Sequence, residues 1–369
     1  MEQFAVEIPH SGVVAEWERL ADRTEASPFQ RPGWVCAWVD SFADPDDLRL
    51  AAVRRDGELV ALLPLRRRGR WLASPVNLES PRFDAVAQDA AAARRLCTGL
   101  VGMTSRSIEL TYLPEGGVLM TALEDVAAEA ERRMLRQPVR SQVQIDTSGE
   151  WEDYAASQLS THHRKQARKK TRRLLESGRL DLDVQEGRVG LAELLEEGLA
   201  LEASGWKGAA GTAVLSRPPS RRFYRQVARW AAAAGTLRLA FLRLDGRPIA
   251  FSLGLEQSGV HYDLKLAYDE EFGRFSPGDL ILLRLVERNF QLPELRVFDL
   301  CGGADDYKRT FATGSTGQVR VHLLRSGISG SVDRRTAMAR ITARKALLEH
   351  VPPAARPWLV KAATRVGVR

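Results

Sequence analysis

Lys308 stands directly after Tyr307 and shortly after Gly302-Gly303, at the end of the segment HYDLKLAYDEEFGRFSPGDLILLRLVERNFQLPELRVFDLCGGADDYK that begins at His261. An ammonium group there could stabilise an oxyanion or hold a phosphate. Asp299, on the strand-like run before the glycines, is a candidate general base toward an amine or hydroxyl, and equally a paired structural carboxylate. Upstream lies Phe275-Ser276-Pro277-Gly278-Asp279. Ser276 suits an N-cap, Pro277 the first helical position, and Gly278 close backbone approach. A helix opening there offers N–H groups and partial positive charge to an anion such as a phosphate, although Asp279 adds a negative charge nearby. Taken alone, the turn describes a well-capped helix. No GxSxG, HExxH, CxxC or Walker pattern occurs, so the chemistry expected is direct transfer without a covalent enzyme intermediate.

Other residues extend this constellation. Trp206-Lys207 follows Glu202 and precedes a glycine-rich stretch, an arrangement suited to a sugar or anion or to packing a helix end. Tyr262, Asp263, Leu264 and Lys265 alternate along a strand, so Asp263 and Lys265 share one face and form a polar cleft or an ion pair. Arg82 and Asp84, in NLESPRFD, could supply one wall of a cleft. His162 and His163 have no evident metal partner. Cys36, Cys97 and Cys301 are odd in number and lack ligand spacing, which argues for a reducing compartment and against a disulfide framework or a zinc site. No metal is expected.

The elements that must position these groups fit a chain too long for one hydrophobic core, so two halves are expected over its 369 residues. The start, MEQFAVEIPHS, is no secretory signal, and no segment approaches the ~20 apolar residues of a membrane span. A cytoplasmic protein is expected. Its formal charge of +7 is unevenly spread. Residues 160–179 hold eight Lys/Arg (Arg164, Lys165, Arg168, Lys169, Lys170, Arg172, Arg173, Arg179) against Glu176, and the tail 327–369 holds nine against Asp333 and Glu349. The remainder is about −7, so two basic patches sit on an acidic body and point to polyanionic partners. The basic run fits a helix docked on that body, a nucleic-acid contact, or a peripheral contact with anionic lipid; the tail, with Trp358, suits the lipid interface.

One pattern occurs twice. LAAVRRDGELVALLPL around Asp56-Gly57 and LAFLRLDGRPIAFSLGL around Asp245-Gly246 read as β-hairpins at an offset of 189, and the strand-like runs around Glu109 and Asp299 follow at 190. Between hairpin and strand each half has a Ser/Pro turn, Glu79-Ser80-Pro81 or Phe275-Ser276-Pro277, and then a helical segment. Further helices are expected over 30–42, 190–204 and 219–234, and one long basic helix over 154–177 with the thin apolar stripe Leu159, Ala167, Leu174. After Ser331 an amphipathic tail helix runs to Pro352-Pro353. The expected organisation is a first domain over 1–150, a basic connecting helix over 151–180, a second domain over 181–326 and a tail over 327–369.

In that order and spacing, Glu202–Thr212, Tyr262–Asp279 with its FSPGD turn and Phe298–Lys308 resemble the GNAT superfamily. More narrowly they resemble the BioF2-like acetyltransferases, grouped with the CelD/BcsL proteins of exopolysaccharide synthesis and related to the FemABX aminoacyltransferases. The basic helix ending RRLLESG and the NLESPRFD segment also fit. The resemblance implies an α/β (α+β) protein of two tandem GNAT-like mixed-sheet domains with helices on both faces. It further implies an acetyl-CoA or other acyl-CoA co-substrate whose pyrophosphate rests at Phe275, Ser276, Pro277 and Gly278, and an amine or hydroxyl acceptor, such as a sugar or cell-envelope glycan precursor. Lys308, Tyr307 and Asp299 would do the chemistry, with Trp206, Lys207, Tyr262, Asp263, Lys265, Arg82 and Asp84 toward the substrate. The first half has Leu113-Pro114-Glu115-Gly116 where the second has Tyr307-Lys308, so it is expected to be structural or a substrate wall. Alternatives are a Fem-like transferase dependent on aminoacyl-tRNA and a non-catalytic scaffold of a polysaccharide synthase.

Overall fold

The computed structural model describes residues 2–325 and the isolated positions Val332, Arg335 and Ala339. The tail helix expected after Ser331, and the side chains of Trp206 and Lys207, lie outside the described residues. The first half runs β1 (Glu2–Glu7), α1 (Ser11–Arg23), α2 (Pro32–Phe42), β2 (Leu48–Arg55), β3 (Glu58–Arg68), β4 (Trp71–Ala73), β5 (Val86–Ala87), α3 (Ala90–Gly102), β6 (Ser107–Pro114), α4 (Val118–Glu129) and β7 (Met134–Asp146). Then come α5 (Trp151–Ser157), α6 (Thr161–Leu175), β8 (Leu180–Gln185), α7 (Leu191–Ser204), α8 (Trp206–Ala209) and α9 (Pro218–Ala233). The second half continues with β9 (Leu237–Leu244), β10 (Arg247–Gln257), β11 (Val260–Tyr268), α10 (Pro277–Phe290), β12 (Val297–Asp299), α11 (Asp306–Phe311) and β13 (Gly314–Leu323). Among the described residues no helix is long and apolar enough to cross a membrane.

The two hairpins form because each turn can take the left-handed backbone that a two-residue connection needs. Asp56 and Gly57 have φ of 51° and 88°, and Asp245 and Gly246 have 47° and 83°. The strands entering the turns, β2 and β9, share one burial pattern position by position. The repeat is thus a repeat of structure.

Among the described residues thirteen strands form one mixed sheet, in the order β1-β2-β3-β4-β6-β13-β7-β12-β11-β10-β9-β8, with β5 paired to β3. This order reads alike from both ends about its central β13–β7 pair. The halves have exchanged their last strands: β13 pairs with β6 of the first half, and β7 pairs with β12 of the second. Helices cover both faces. On one, α1 and α2 meet α7 and α9 in a core shared by both halves, where Trp34 meets Phe223 edge-on at 5.0 Å. A Cβ at Gly33 would run into the Trp230 indole, so α2 and α9 meet this closely only because Gly33 lacks one. On the other face α3 and α4 cover the first half, and α5, α6 and α10 the second.

The structure departs from expectation in four elements. The basic run is two helices, because Ser160 interrupts it and its Oγ accepts from His163 N at 3.1 Å as the N-cap of α6. Leu159, Ala167 and Leu174 are buried, as their stripe predicts. Ser80-Pro81 opens no helix; α3 begins at Ala90, capped by Asp89, which accepts from Ala92 N at 2.8 Å. The strand around Asp299 ends there, since Cys301 has a φ of 47°. Tyr307 and Lys308 lie within the short helix α11.

Candidate active site

Each half contains a parallel strand pair three residues long. In the first, Trp71, Leu72 and Ala73 of β4 pair with Ser107, Ile108 and Glu109 of β6. In the second, Val260, His261 and Tyr262 of β11 pair with Val297, Phe298 and Asp299 of β12. Past Ala73 the first-half chain leaves the strand and folds along β6. Ser74 N donates to Glu109 O at 2.9 Å, Ser74 Oγ accepts from Thr111 N at 3.0 Å, and Phe83 N donates to Tyr112 O at 3.0 Å. Phe83 is buried in the first-half core. Past Tyr262, by contrast, β11 continues beside β10 to Tyr268 while β12 stops, so the two strands part. Six residues of strand, ~20 Å, separate Tyr262 from Tyr268 along this divergence.

The far end of the divergence is the opening of α10. Phe275, Pro277 and Gly278 are buried, and a Cβ on Gly278 would stand 3.0 Å from the Tyr268 ring and 3.1 Å from Leu266. Ser276 occupies the N-cap position but not in the expected way: its φ is 51° and its hydroxyl caps no backbone N–H. That hydroxyl instead accepts from Lys170 Nζ at 2.7 Å. Asp279 does not leave its charge facing the turn unanswered, because His163 Nε2 lies 2.9 Å from its Oδ2. Helix α6 therefore brings a cation to the first turn of α10 and engages the acid beside it.

The near end gathers Arg82, Tyr262, Asp299 and Lys308. Asp299 is buried and ion-paired with Arg82; its Oδ1 also accepts from Gln142 Nε2 at 2.6 Å and from Cys301 N at 2.9 Å. These partners engage both carboxylate oxygens, and the pairing fixes Arg82 beside Tyr262. The Arg82 guanidinium also lies 5.5 Å from the Tyr262 ring centroid and 5.9 Å from that of Phe29. Lys308 Nζ donates to Leu300 O at 2.9 Å and Cys301 O at 2.6 Å, fixing the loop after Asp299. An ammonium has three N–H groups, so one is left for another acceptor. Tyr307 is half exposed.

Asp263 and Lys265 reach partners on different elements. Asp263 is buried and accepts from Ser252 Oγ on β10 at 2.6 Å, whereas Lys265 reaches Glu79 Oε2 of the first-half loop at 3.0 Å. Glu79 is the fastening between halves: it also accepts from Arg217 at 2.7 Å and from Ser220 and Tyr224 at 3.0 Å each. Burial opposes its charge, but Lys265 and Arg217 outweigh burial and hold it at about 2.

Asp84 borders a separate cavity of about 470 Å3, whose wall also includes Arg82, Gln142, Gln144, Thr316 and Gln318. Its carboxylate caps α4, accepting from Val118 N at 3.1 Å and Leu119 N at 3.0 Å, and from Ala85 N at 2.8 Å. Burial nevertheless pushes it up to about 6, against those N–H groups. The structure thus unites Arg82, Tyr262, Asp299 and Lys308 at one end of the divergence and sets Phe275–Gly278 at the other. Asp84 faces the cavity, and Asp263 and Lys265 are tied to neighbouring elements. Lys170, Glu79, Gln142 and Gln318 were not singled out by sequence. Lys170 is one of eight similar charges in its run, Glu79 gains meaning only through its contacts with the other half, and Gln142 and Gln318 only through strand exchange.

Residues 161–309 match the family described as acetyltransferase (GNAT) domain. No curated protein matches the chain. Among solved structures, a conserved protein of unknown function from Bacteroides thetaiotaomicron aligns with a TM-score of 0.56 at 13% identity, covering 87% of this chain and 100% of that one. A domain described as the C-terminal part of a lysylphosphatidylglycerol synthetase from Agrobacterium fabrum aligns with a TM-score of 0.55 at 13% identity, covering 89% and 96%. FemX aligns with a TM-score of 0.53 at 12% identity, covering 86% and 96%. The structures share the fold, a mixed α/β sheet of GNAT type flanked by helices, and the family match supports acyl transfer as the class of reaction.

Proposed function

We propose that the chain moves an acetyl or other acyl group from acyl-CoA to an amine or hydroxyl on a sugar or other cell-envelope glycan precursor, as a transferase of the BioF2-like and CelD/BcsL kind. The observation that carries this reading is the divergence of β11 and β12, with a cation at each end, where the equivalent pair of the first half is covered by its own chain. The residues around α10 fit a diphosphate: Lys170 and Ser276 would hold it at the helix opening, and the charge of Asp279 is engaged by His163. When bound, acyl-CoA supplies a thioester carbonyl activated toward nucleophiles. Lys308 keeps the loop after Asp299 in place and offers its remaining N–H to developing negative charge. In the net reaction the acceptor's proton ends on the departing thiol. Of the two carboxylates near Arg82, Asp84 is the one assigned to carry that proton, because burial pushes it up to about 6 and it borders the cavity, while Asp299 is ion-paired with Arg82.

The exposed stripe Lys165, Arg168, Lys169 and Arg173 on α6 favours a second reading, in which the donor is an aminoacyl-tRNA. The same stripe is where a cytoplasmic chain would meet anionic lipid headgroups at the inner face of a membrane. Separate titrations of the full chain with acetyl-CoA and with charged tRNA distinguish the donors. Saturable acetyl-CoA binding, and thiol release on adding an amino sugar, are expected. Binding of charged tRNA with no binding of acetyl-CoA would replace the first reading by the second.

A further inference from the structure

The two exchanged strands carry polar side chains at the centre of the sheet, where apolar ones are usual. Gln142 and Gln144 on β7, and Thr316 and Gln318 on β13, alternate along their strands and so share a face. The intervening Val143 and Ile145, and Val319 and Val321 beyond a bulge, sit in apolar cores. Buried amides are costly unless their hydrogen bonds are made. The inner two make theirs with protein: Gln142 donates to Asp299 and accepts from Gln318 at 2.7 Å, while Gln318 also donates to Pro81 O at 2.9 Å and accepts from Arg140 at 2.8 Å. The outer two, Gln144 and Thr316, stand outside this network and line the cavity beside Arg82 and Asp84.

The one cation among the lining residues, Arg82, is matched by Asp299, and Glu25 and Asp84 add two acids to the wall. A further negative charge from a ligand would meet no unmatched cation there. The cavity, about 470 Å3, falls within the roughly 300–1,000 Å3 of small-molecule sites. Through Arg82 it adjoins Asp299, at the near end of the strand divergence. We infer that this cavity receives the acyl acceptor as a hydroxyl-rich saccharide unit that carries no anionic group, bound by Gln144, Thr316 and the Arg82 guanidinium. The inference rests on the acyl-transfer reading and adds to it the site and charge class of the acceptor. Because β7 comes from one half and β13 from the other, the site exists only through the strand exchange.

The test is calorimetric titration of the full chain with cellobiose, N,N′-diacetylchitobiose, glucuronic acid and glucose 6-phosphate, with acetyl-CoA titrated in parallel, on the native protein and on Gln144→Ala and Thr316→Val. At least one neutral disaccharide should bind more tightly than either anionic sugar. Each substitution should weaken that binding by roughly three- to tenfold, the worth of a hydrogen bond between neutral groups, with acetyl-CoA binding and thermal unfolding unchanged. Preference for an anionic sugar, binding of no disaccharide, or affinity indifferent to both substitutions would overturn the inference. Saccharide binding that responds to the substitutions in a protein that ignores acetyl-CoA would uphold this site and refute the donor assignment alone.

Discussion

At Ala73 and Tyr262, equivalent positions one repeat apart, the chain leaves the same parallel pair by different routes. In the first half it turns back as the loop 74–85, bonds along β6 and buries Phe83 against the sheet. In the second half it stays in the strand to Tyr268 and reaches α10 through the shorter segment 269–276. Duplication thus provides two clefts, and the first is filled by the half that formed it. The filling loop also serves the other half: Glu79 anchors Lys265, and Arg82 pairs with Asp299. Under the proposed function, the half that takes no donor would still be indispensable, because it holds residues of the other half.

The largest expected effect tests that fastening. Glu79→Ala should lower the unfolding free energy by about 3–5 kcal/mol, since it leaves Lys265 and Arg217 without their buried partner. Urea unfolding measures this, and a loss below about 1 kcal/mol would mean the loop is merely laid against the second half. A second comparison lies within the loop, whose two acids are displaced in opposite directions. Glu79, held at about 2, contributes stability that is present above the ordinary glutamate value of 4.5 and lost as pH falls from there toward 2. Asp84, held up at about 6, keeps a proton that the unfolded chain releases at the ordinary 3.8, so its effect on stability becomes less favourable as pH rises from 3.8 to about 6. Each amounts to roughly 3 kcal/mol. Unfolding free energies of the native protein, Glu79→Gln and Asp84→Asn across pH 3–7 should show differences that move with pH in opposite senses, and parallel profiles would remove the distinction. The smallest effect tests the repeat itself. Gly57→Ala and Gly246→Ala should each cost about 1–2 kcal/mol, because both turns need a left-handed residue there. Costs that differ by more than about 1 kcal/mol would show that the hairpins are not energetic equivalents.

Much of this architecture is legible locally. The Asp-Gly turns, the apolar periodicity of α2, α7 and α9, and Pro277 at the start of α10 depend on neighbours in sequence, and the 189-residue offset exposes the duplication. The exchange of β7 and β13 depends on partners more than a hundred residues away, as in Gln318 with Arg140, and no local pattern encodes it. Gln142 and Gln318, buried in the structure, therefore carry no mark in the sequence. Asp299 reads equally as a base or a paired carboxylate, because the sequence shows a carboxylate near glycines but not the Arg82 brought to it from the other half. Lys170 was hidden differently. A run of eight cations does not mark which of them faces the body, and only docking of α6 on Ala167 and Leu174 turns this one toward Ser276.

The central claim, one filled cleft and one able to take the donor, is tested most directly by calorimetric titration of acetyl-CoA into the native protein and into Lys170→Ala. The account predicts one site per chain, weakened roughly ten- to a hundredfold by the substitution, as expected for losing a charged hydrogen-bond partner. Two sites per chain, or one site whose affinity Lys170→Ala leaves unchanged, would contradict it.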